Sequence, residues 1–163
     1  MQAAREAGGA SLLARAIALL ARREHSRAEL ARKLTRRLDE GQDRADVDAV
    51  LDELQRRRLL SDERFAESLV RTRAPRYGEA RLKLDLKSRG VPDPIAAESL
   101  RSLRAGGGGS ELERARAVWS RRFGSAPQSL PERARQARFL QSRGFSAEVI
   151  RKVLRGLPGD DDL

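Results

Sequence analysis

Leu30, Leu34 and Leu38 recur at every fourth residue, and the interval returns at Leu82 and Leu86. Such spacing stacks apolar side chains on one face of a helix and leaves the intervening charges to solvent. The pattern predicts an earlier helix carrying Leu13, Ile17 and Leu20, capped by Ser11, and a later one offering Val47, Val50, Leu51 and Leu54 after "DEGQDRAD". Ser26 with Glu29 reads as a capping box, in which each side chain satisfies a backbone donor of the other residue. Further along, Ser61 caps a helix whose stripe is Phe65, Ala66, Leu69 and Val70, and Pro75 ends it. "RLKLDLK" alternates like a strand, but Leu82 and Leu86 keep the helical interval and Gly90 sits where a helix terminates. Helix is the reading adopted. Asp93 is expected to cap the next helix, with Pro92 and Pro94 beside it, and Ser129–Glu132 forms another S-x-x-E box around Pro131. Ser146 caps the last helix, with Phe145 stapled against Ile150.

The chain also resembles itself. "LKSRGVPDPIAAESL" at 86–100 aligns with "LQSRGFSAEVIRKVL" at 140–154 at an offset of 54, placing Ser88-Arg89-Gly90 over Ser142-Arg143-Gly144. The same offset sets Phe65 over Trp119 and Leu69 over Phe123; an offset of 52 sets Leu82 over Leu30, Leu86 over Leu34, Phe65 over Leu13 and Leu69 over Ile17. The fold class expected is all-α: three tandem three-helix repeats forming an elongated, curved body, because a unit of about 50 residues buries too little surface alone. The boundaries read as a flexible N-terminus 1–10, repeat 1 at 11–60, repeat 2 at 61–104, a glycine-rich hinge 105–110, repeat 3 at 111–157 and an acidic tail 158–163.

Composition narrows the chemistry. There is no cysteine, hence no disulfide, thiol nucleophile or thiolate metal site. His25 is the single histidine, and it stands at a helix boundary rather than beside a nucleophile. Asp43, Asp46 and Asp48 read as helix-start residues that complement the dipole, and neither they nor Asp160 to Asp162 have ordered ligand spacing. No P-loop or dinucleotide fingerprint is present. The expectation is a protein that is not an enzyme, uses no cofactor and binds no metal. "MQAAREAGGA" lacks the apolar run of a signal peptide, and the stretch Ala16 to Ala21 is far below the ~18 residues of a membrane span. A cytoplasmic monomer without membrane contact is expected.

Charge supplies the positive reading. The net charge is +10, and arginine outnumbers lysine by 30 to 4. A field of this sign favours polyanions, although a GC-rich genome also produces such an excess. Residues 11–60 hold twelve basic and nine acidic side chains, 64–104 ten and five, and 111–155 eleven and four, so charge concentrates in the later repeats. The densest knot is Arg71, Arg73 and Arg76 around Pro75, followed by Tyr77 and Gly78, with Arg81, Lys83, Lys87 and Arg89 in the next helix. Glu67 is placed to pair with Arg71, whereas Arg73 and Arg76 have no partner on their own helix. Arg121, Arg122, Arg135, Arg138 and Arg143 add a further basic surface. Tyr77 reads as packing that closes the turn rather than as a base-stacking platform, and Gly78 as a tight start to the helix. Polar base readers are scarce, Gln136 and Gln141 being the better candidates, so sequence-specific DNA reading is weakly supported.

"LLSDERFAESLVRTRAPRYGEARLKLDLKSRGV" and "ARQARFLQSRGFSAEVIRKVL", preceded by "ALLARREHSRAELARKL", resemble the RecX family of bacterial recombinase regulators over about residues 11–155. The most specific elements are Asp62, Arg64, Phe65 and Ala66 with Arg73, Tyr77 and Gly78, then Leu140, Arg143, Gly144 and Phe145. The resemblance implies tandem three-helix repeats that bind the RecA–DNA filament in its helical groove and suppress ATP hydrolysis, strand exchange and filament growth. It implies that Arg71, Arg73, Arg76, Arg81, Lys83 and Lys87 face the filament, with Tyr77 fixing their loop. Partners would be RecA and single- or double-stranded DNA, bound without sequence preference. Glu79 departs from the pattern, standing where many relatives are expected to carry proline. The alternative is a general basic DNA- or RNA-binding helical protein.

Overall fold

The computed structural model describes residues 2–155, with side chains from residue 8 onward. Among the described residues the chain is all helix: α1 (Gln2–Leu20), α2 (Arg27–Thr35), α3 (Arg44–Arg56), α4 (Asp62–Arg73), α5 (Glu79–Ser88), α6 (Asp93–Ala105), α7 (Glu111–Arg122), α8 (Leu130–Ser142) and α9 (Ala147–Leu154). None of them is long and apolar enough to cross a membrane. The alternating "RLKLDLK" lies within α5, with Leu82 and Leu86 fully buried, so the four-residue interval outweighs the two-residue one.

The caps explain most boundaries. Ser26, Ser129 and Ser146 each accept the backbone N–H three residues on, satisfying a donor the helix itself leaves open. Ser61 accepts the N–H of Arg64 at 3.2 Å. Two full capping boxes form at Asp43–Asp46 and Ser110–Glu113. The predicted boxes at Ser26 and Ser129 are half-made. Glu29 is drawn to Arg23 and Arg89 instead, and Glu132 accepts from Gln128 N. Asp93 is the first residue of α6 rather than its cap.

The chain forms two compact units, Met1–Ser68 with Lys87–Ile95, and Leu69–Leu86 with Ala96–Leu163. The division runs through α4, α5 and α6. The glycine run at 105–110 lies inside the second unit and leads directly into the Ser110 cap of α7, where Gly109 O accepts from Arg114 Nη1 at 3.0 Å. The acidic tail expected at 158–163 lies outside the described residues.

In the first unit, α1, α2 and α3 close on Leu12, Ala16, Leu30, Leu34, Val47, Val50, Leu51, Leu54 and Leu60. Two expectations for α1 are corrected. The helix runs from Gln2, so residues 2–10 are helical and Ser11 lies within it; Gln42 Nε2 holds this stretch by donating to Gly8 O at 2.8 Å. Its buried positions are Leu12 and Ala16, with Leu13 and Leu20 partly buried and Ile17 42% exposed. Apolar residues at 12, 13, 16, 17, 19 and 20 span too wide an arc for the sequence to fix the helix's rotation.

In the second unit, α7, α8 and α9 enclose Ala115, Val118, Leu140, Phe145, Ile150, Val153 and Leu154, and Phe145 and Ile150 share that core as the staple requires. Trp119 is only half-buried, with its indole N–H donating to Gln136 Oε1 at 2.7 Å. Gln136 is itself buried and also donates to Ser125 O. It is therefore a core hydrogen-bonding group and no base reader.

Candidate functional site

The arginine knot is held by a corner of the second unit where α4 ends and α5 begins. Pro75 follows the last turn of α4, and the carbonyl of Arg73 collects the N–H groups of Arg76 at 2.9 Å and Tyr77 at 3.1 Å. That tight turn leaves Tyr77 half-buried with its ring facing three guanidinium groups: Arg73 at 4.6 Å, Arg143 at 5.2 Å and Arg81 at 5.9 Å from the centroid. Such contacts draw on the negative face of the aromatic ring and contribute roughly 0.5–1 kcal/mol each where exposed. Beneath them lies Asp85, 9% exposed, whose carboxylate meets Arg73 Nε at 3.0 Å and Arg81 Nε at 3.3 Å.

Backbone contact fixes the spacing. Gly78 N donates to Arg143 O at 2.8 Å, and a β-carbon at position 78 would fall 2.3 Å from Gly144 O. Gly144 has φ +84°, and a β-carbon there would meet Arg81 Cβ at 2.4 Å. Both positions therefore exclude side chains for lack of space, and Gly144 also for its left-handed backbone. The expected tight start to the helix at Gly78 is in fact a close passage of two backbones. It brings Arg143, from the end of α8, beside Tyr77.

The predicted residues separate into groups. Arg73, Tyr77, Arg81 and Arg143 come together, and Arg121 joins them by donating from Nη2 to Pro75 O at 2.9 Å. Arg71, Arg76 and Lys83 are exposed and make no ion pair among the described residues; the expected Glu67–Arg71 pair is absent there. Lys87 and Arg89 belong to the first unit, where Arg89 pairs with Glu29 at 3.4 Å. Arg122 and Arg135 approach the Phe123 ring at 5.7 and 5.9 Å, Phe123 packs edge-on against Phe139, and Arg138 is exposed.

Sequence reasoning missed Asp85, which partners Arg73 from another helix. The signal was present: one acid in "RLKLDLK", adjacent to a core leucine and four residues after Arg81. It also missed the use made of Glu79. Its N–H donates to Glu111 Oε1 at 3.0 Å, and its carboxylate grips Arg104 at 2.6 Å. A proline at position 79 has no N–H to offer.

His25 is 1% exposed, with Nδ1 3.0 Å from Arg23 O and Nε2 2.9 Å from Lys33 Nζ. Burial holds its pKa below the usual value, against the opposing hydrogen bond to the Arg23 carbonyl. The neutral ring thus donates from Nδ1 and accepts the lysine proton at Nε2. It is a packed, hydrogen-bonded boundary residue.

The arrangement presents cations at the surface of the second unit, and the chain as a whole is similar to known proteins. Residues 61–100 match the model for RecX, second three-helix domain, and residues 110–154 that for RecX, third three-helix domain. The chain is 51% identical to "Regulatory protein RecX" of Leptothrix cholodnii over 145 residues, covering 89% of this chain and 88% of that one. It is 47% identical to the protein of the same name from Ralstonia nicotianae, covering 90% and 87%. The crystal structure of RecX from Lactobacillus salivarius superposes with a TM-score of 0.74 over 93% of this chain and 97% of that chain at 20% identity, a likeness of fold. The chain belongs to the RecX family of regulatory proteins.

Proposed function

We propose that this protein regulates recombination by binding the RecA–DNA filament in its helical groove, inhibiting ATP hydrolysis, strand exchange and filament growth without catalysing a reaction of its own. The observation that carries this reading is the corner around Tyr77. Arg73 and Arg81 share the Asp85 carboxylate, Arg143 lies against the Tyr77 ring, Arg121 donates to the Pro75 carbonyl, and Arg71, Arg76 and Lys83 have no ion pair among the described residues. Cations left unbalanced within the fold are available to acidic protein surface and to phosphate, the two chemistries that meet in a nucleoprotein groove. Arg73, Arg81 and Arg143 serve chiefly to hold the corner, while Arg71, Arg76 and Lys83 make the contacts. Arg121, Arg122, Arg135 and Arg138 extend that surface within the second unit, and Lys87 and Arg89 supply further contacts from the first.

Single-strand-DNA-dependent ATP hydrolysis by RecA, with this protein titrated below one copy per recombinase, tests the reading. Inhibition at such ratios is expected, and the Arg71→Gln/Arg76→Gln variant should inhibit several-fold less at unchanged helix content. Inhibition only when the protein is abundant enough to coat the DNA would instead mark a general nucleic-acid binder, whose affinity falls steeply with salt.

A further inference from the structure

Repeat 1 has the smallest basic excess and pairs most of its acids, yet one side of it gathers cations with no acid in the lining. Arg15, Ala18 and Leu19 of α1 are spaced i, i+3 and i+4 and share one face, and Arg22 follows in the turn after the helix, its N–H donating to Leu19 O at 3.2 Å. That face and the last turn of α2 enclose a cleft of about 480 Å³. Ala18, Leu19 and Leu34 supply its apolar floor, and Arg15, Arg22, Lys33, Arg36 and Arg37 its rim. No carboxylate lines it among the described residues.

The rim is partly preset. Arg15 is anchored to Asp39 at 2.9 Å and to the carbonyl of Arg37, and Lys33 is held against Nε2 of the buried His25. The neighbouring carboxylates are engaged elsewhere, Glu24 with Arg64 at 2.9 Å and Glu29 with Arg23 at 2.6 Å. Arg22, Arg36 and Arg37 are exposed and make no ion pair among the described residues. Three free guanidinium forks and two anchored cations around a concave floor suit the bidentate geometry of phosphate oxygens. No aromatic side chain lines the cleft, so it offers no platform on which a base stacks.

We propose that this cleft is a phosphate-binding site, distinct from the Tyr77 corner, that grips phosphate groups without reading bases. Two sources share that chemistry, a nucleic-acid backbone and a free polyphosphate. Inorganic tripolyphosphate is the probe, titrated calorimetrically into the full chain with no recombinase present, so the result is independent of filament inhibition. One saturable site is expected, weakened at least tenfold in Arg22→Gln/Arg36→Gln/Arg37→Gln. Arg56→Gln/Arg57→Gln/Arg101→Gln, which removes the same charge elsewhere, should bind like the parent. Cations at a helix end also complement its dipole. A third variant, Arg22→Lys/Arg36→Lys/Arg37→Lys, keeps that charge, so melting like the parent with weakened binding isolates the loss of the forks.

A short unlabelled DNA strand that displaces tripolyphosphate from the parent assigns the site to nucleic-acid backbone. A strand that binds parent and glutamine variant alike assigns it to a free polyphosphate. Absence of a saturable site, or equal losses in the glutamine and control variants, overturns the proposal.

Discussion

The start of α2 and the start of α5 are the same corner built twice, 52 residues apart. In each, the Ser-Arg-Gly that ends a later middle helix packs against the first turn of an earlier one. Arg89 O accepts a hydrogen bond from Ser26 Oγ, and Arg143 O accepts one from Gly78 N. Arg27 N donates to Asp62, the first residue of α4, and Glu79 N to Glu111, the first residue of α7. The backbone plan is held while charges change sign: Glu24, Arg27, Glu29, Lys33 and Asp52 correspond to Arg76, Glu79, Arg81, Asp85 and Arg104. In the first corner Glu24 and Glu29 neutralise Arg64, Arg23 and Arg89. In the second, Arg76 and Arg81 stand where those acids were, and Asp85 is shared between Arg73 and Arg81. The difference teaches that one joint balances its charges in one repeat and leaves cations unbalanced in the next.

The largest effects come from the glycines. Gly78→Ala sets a methyl against backbone atoms of Gly144, which no rotamer change relieves, and should cost about 3 kcal/mol by the upper range for overpacking. Its counterpart Ser26→Gly keeps the space and loses only a cap and one hydrogen bond, about 1 kcal/mol. Gly90→Ala meets the side-chain methyl of Ala28 at 2.4 Å, at φ +74°. Trimming that methyl with Ala28→Gly should therefore recover about 1 kcal/mol in a double-mutant cycle. Urea denaturation reads all four; equal losses for Gly78→Ala and Ser26→Gly would break the contrast.

The buried acids come next. Asp85→Asn leaves Arg73, whose Nε is buried, without its carboxylate, and should cost about 2–3 kcal/mol, at the low end for a broken buried pair. Glu29→Gln should cost less, about 1 kcal/mol, because Arg23 and Arg89 are 46% and 38% exposed and rehydrate. The same denaturation series decides, and a Glu29 variant as damaged as the Asp85 variant would show that the first corner is no better solvated.

These contrasts mark what the sequence made legible. Periodicity found α2, α3, α4 and α5 with their buried apolar residues, because a helical interval is a local property. The caps at Ser26, Ser61, Ser129 and Ser146 were legible for the same reason, whereas Ser11 lies inside α1 and the Ser110 cap was hidden by the glycines before it. The rotation of α1 was not, since Leu12 and Leu13, like Ala16 and Ile17, are equally apolar neighbours. Nor was the Arg73–Asp85 pair, which needs two helices to meet, or the approach of Gly78 to Gly144 across 66 positions. The cleft lined by Arg22, Arg36 and Arg37 was hidden by counting, because twelve bases against nine acids does not say which bases the acids leave unpaired.

Titration separates the corners further. His25 is kept neutral by burial, so its folded pKa lies below the unfolded value of about 6.5. Its contribution is full above pH 6.5 and is lost as pH falls from there toward the folded value. Glu29 is buried, but hydrogen bonding and charge from Arg23 prevail and hold its pKa low, so its contribution is full above the unfolded value of about 4.3 and is lost as pH falls from there toward the folded value. Protection of the Leu30 and Leu34 amides should therefore drop between pH 6.5 and 5 relative to Leu82 and Leu86. His25→Gln should flatten that drop. A parallel decline at all four amides would assign the acid sensitivity elsewhere.

The smallest effect bears most directly on the sign reversal. Arg27 pairs with Asp52 at 2.8 Å, and at the equivalent positions Glu79 pairs with Arg104 at 2.6 Å. If geometry alone is conserved, either polarity should serve in either corner. Glu79→Arg sets two cations together and Arg104→Glu two anions, each costing about 0.5 kcal/mol at this exposure. The double reversal Glu79→Arg/Arg104→Glu should return to within about 0.3 kcal/mol of the parent, because Arg104, 60% exposed, keeps the pair in contact with solvent although Glu79 is only 20% exposed. Glu79→Pro cannot be rescued in this way, since it also removes the N–H held by Glu111. If the double reversal stays as unstable as the worse single variant, the polarity at this corner is fixed by the surrounding arginines. The excess of positive charge would then be part of how the second unit folds as well as what it presents.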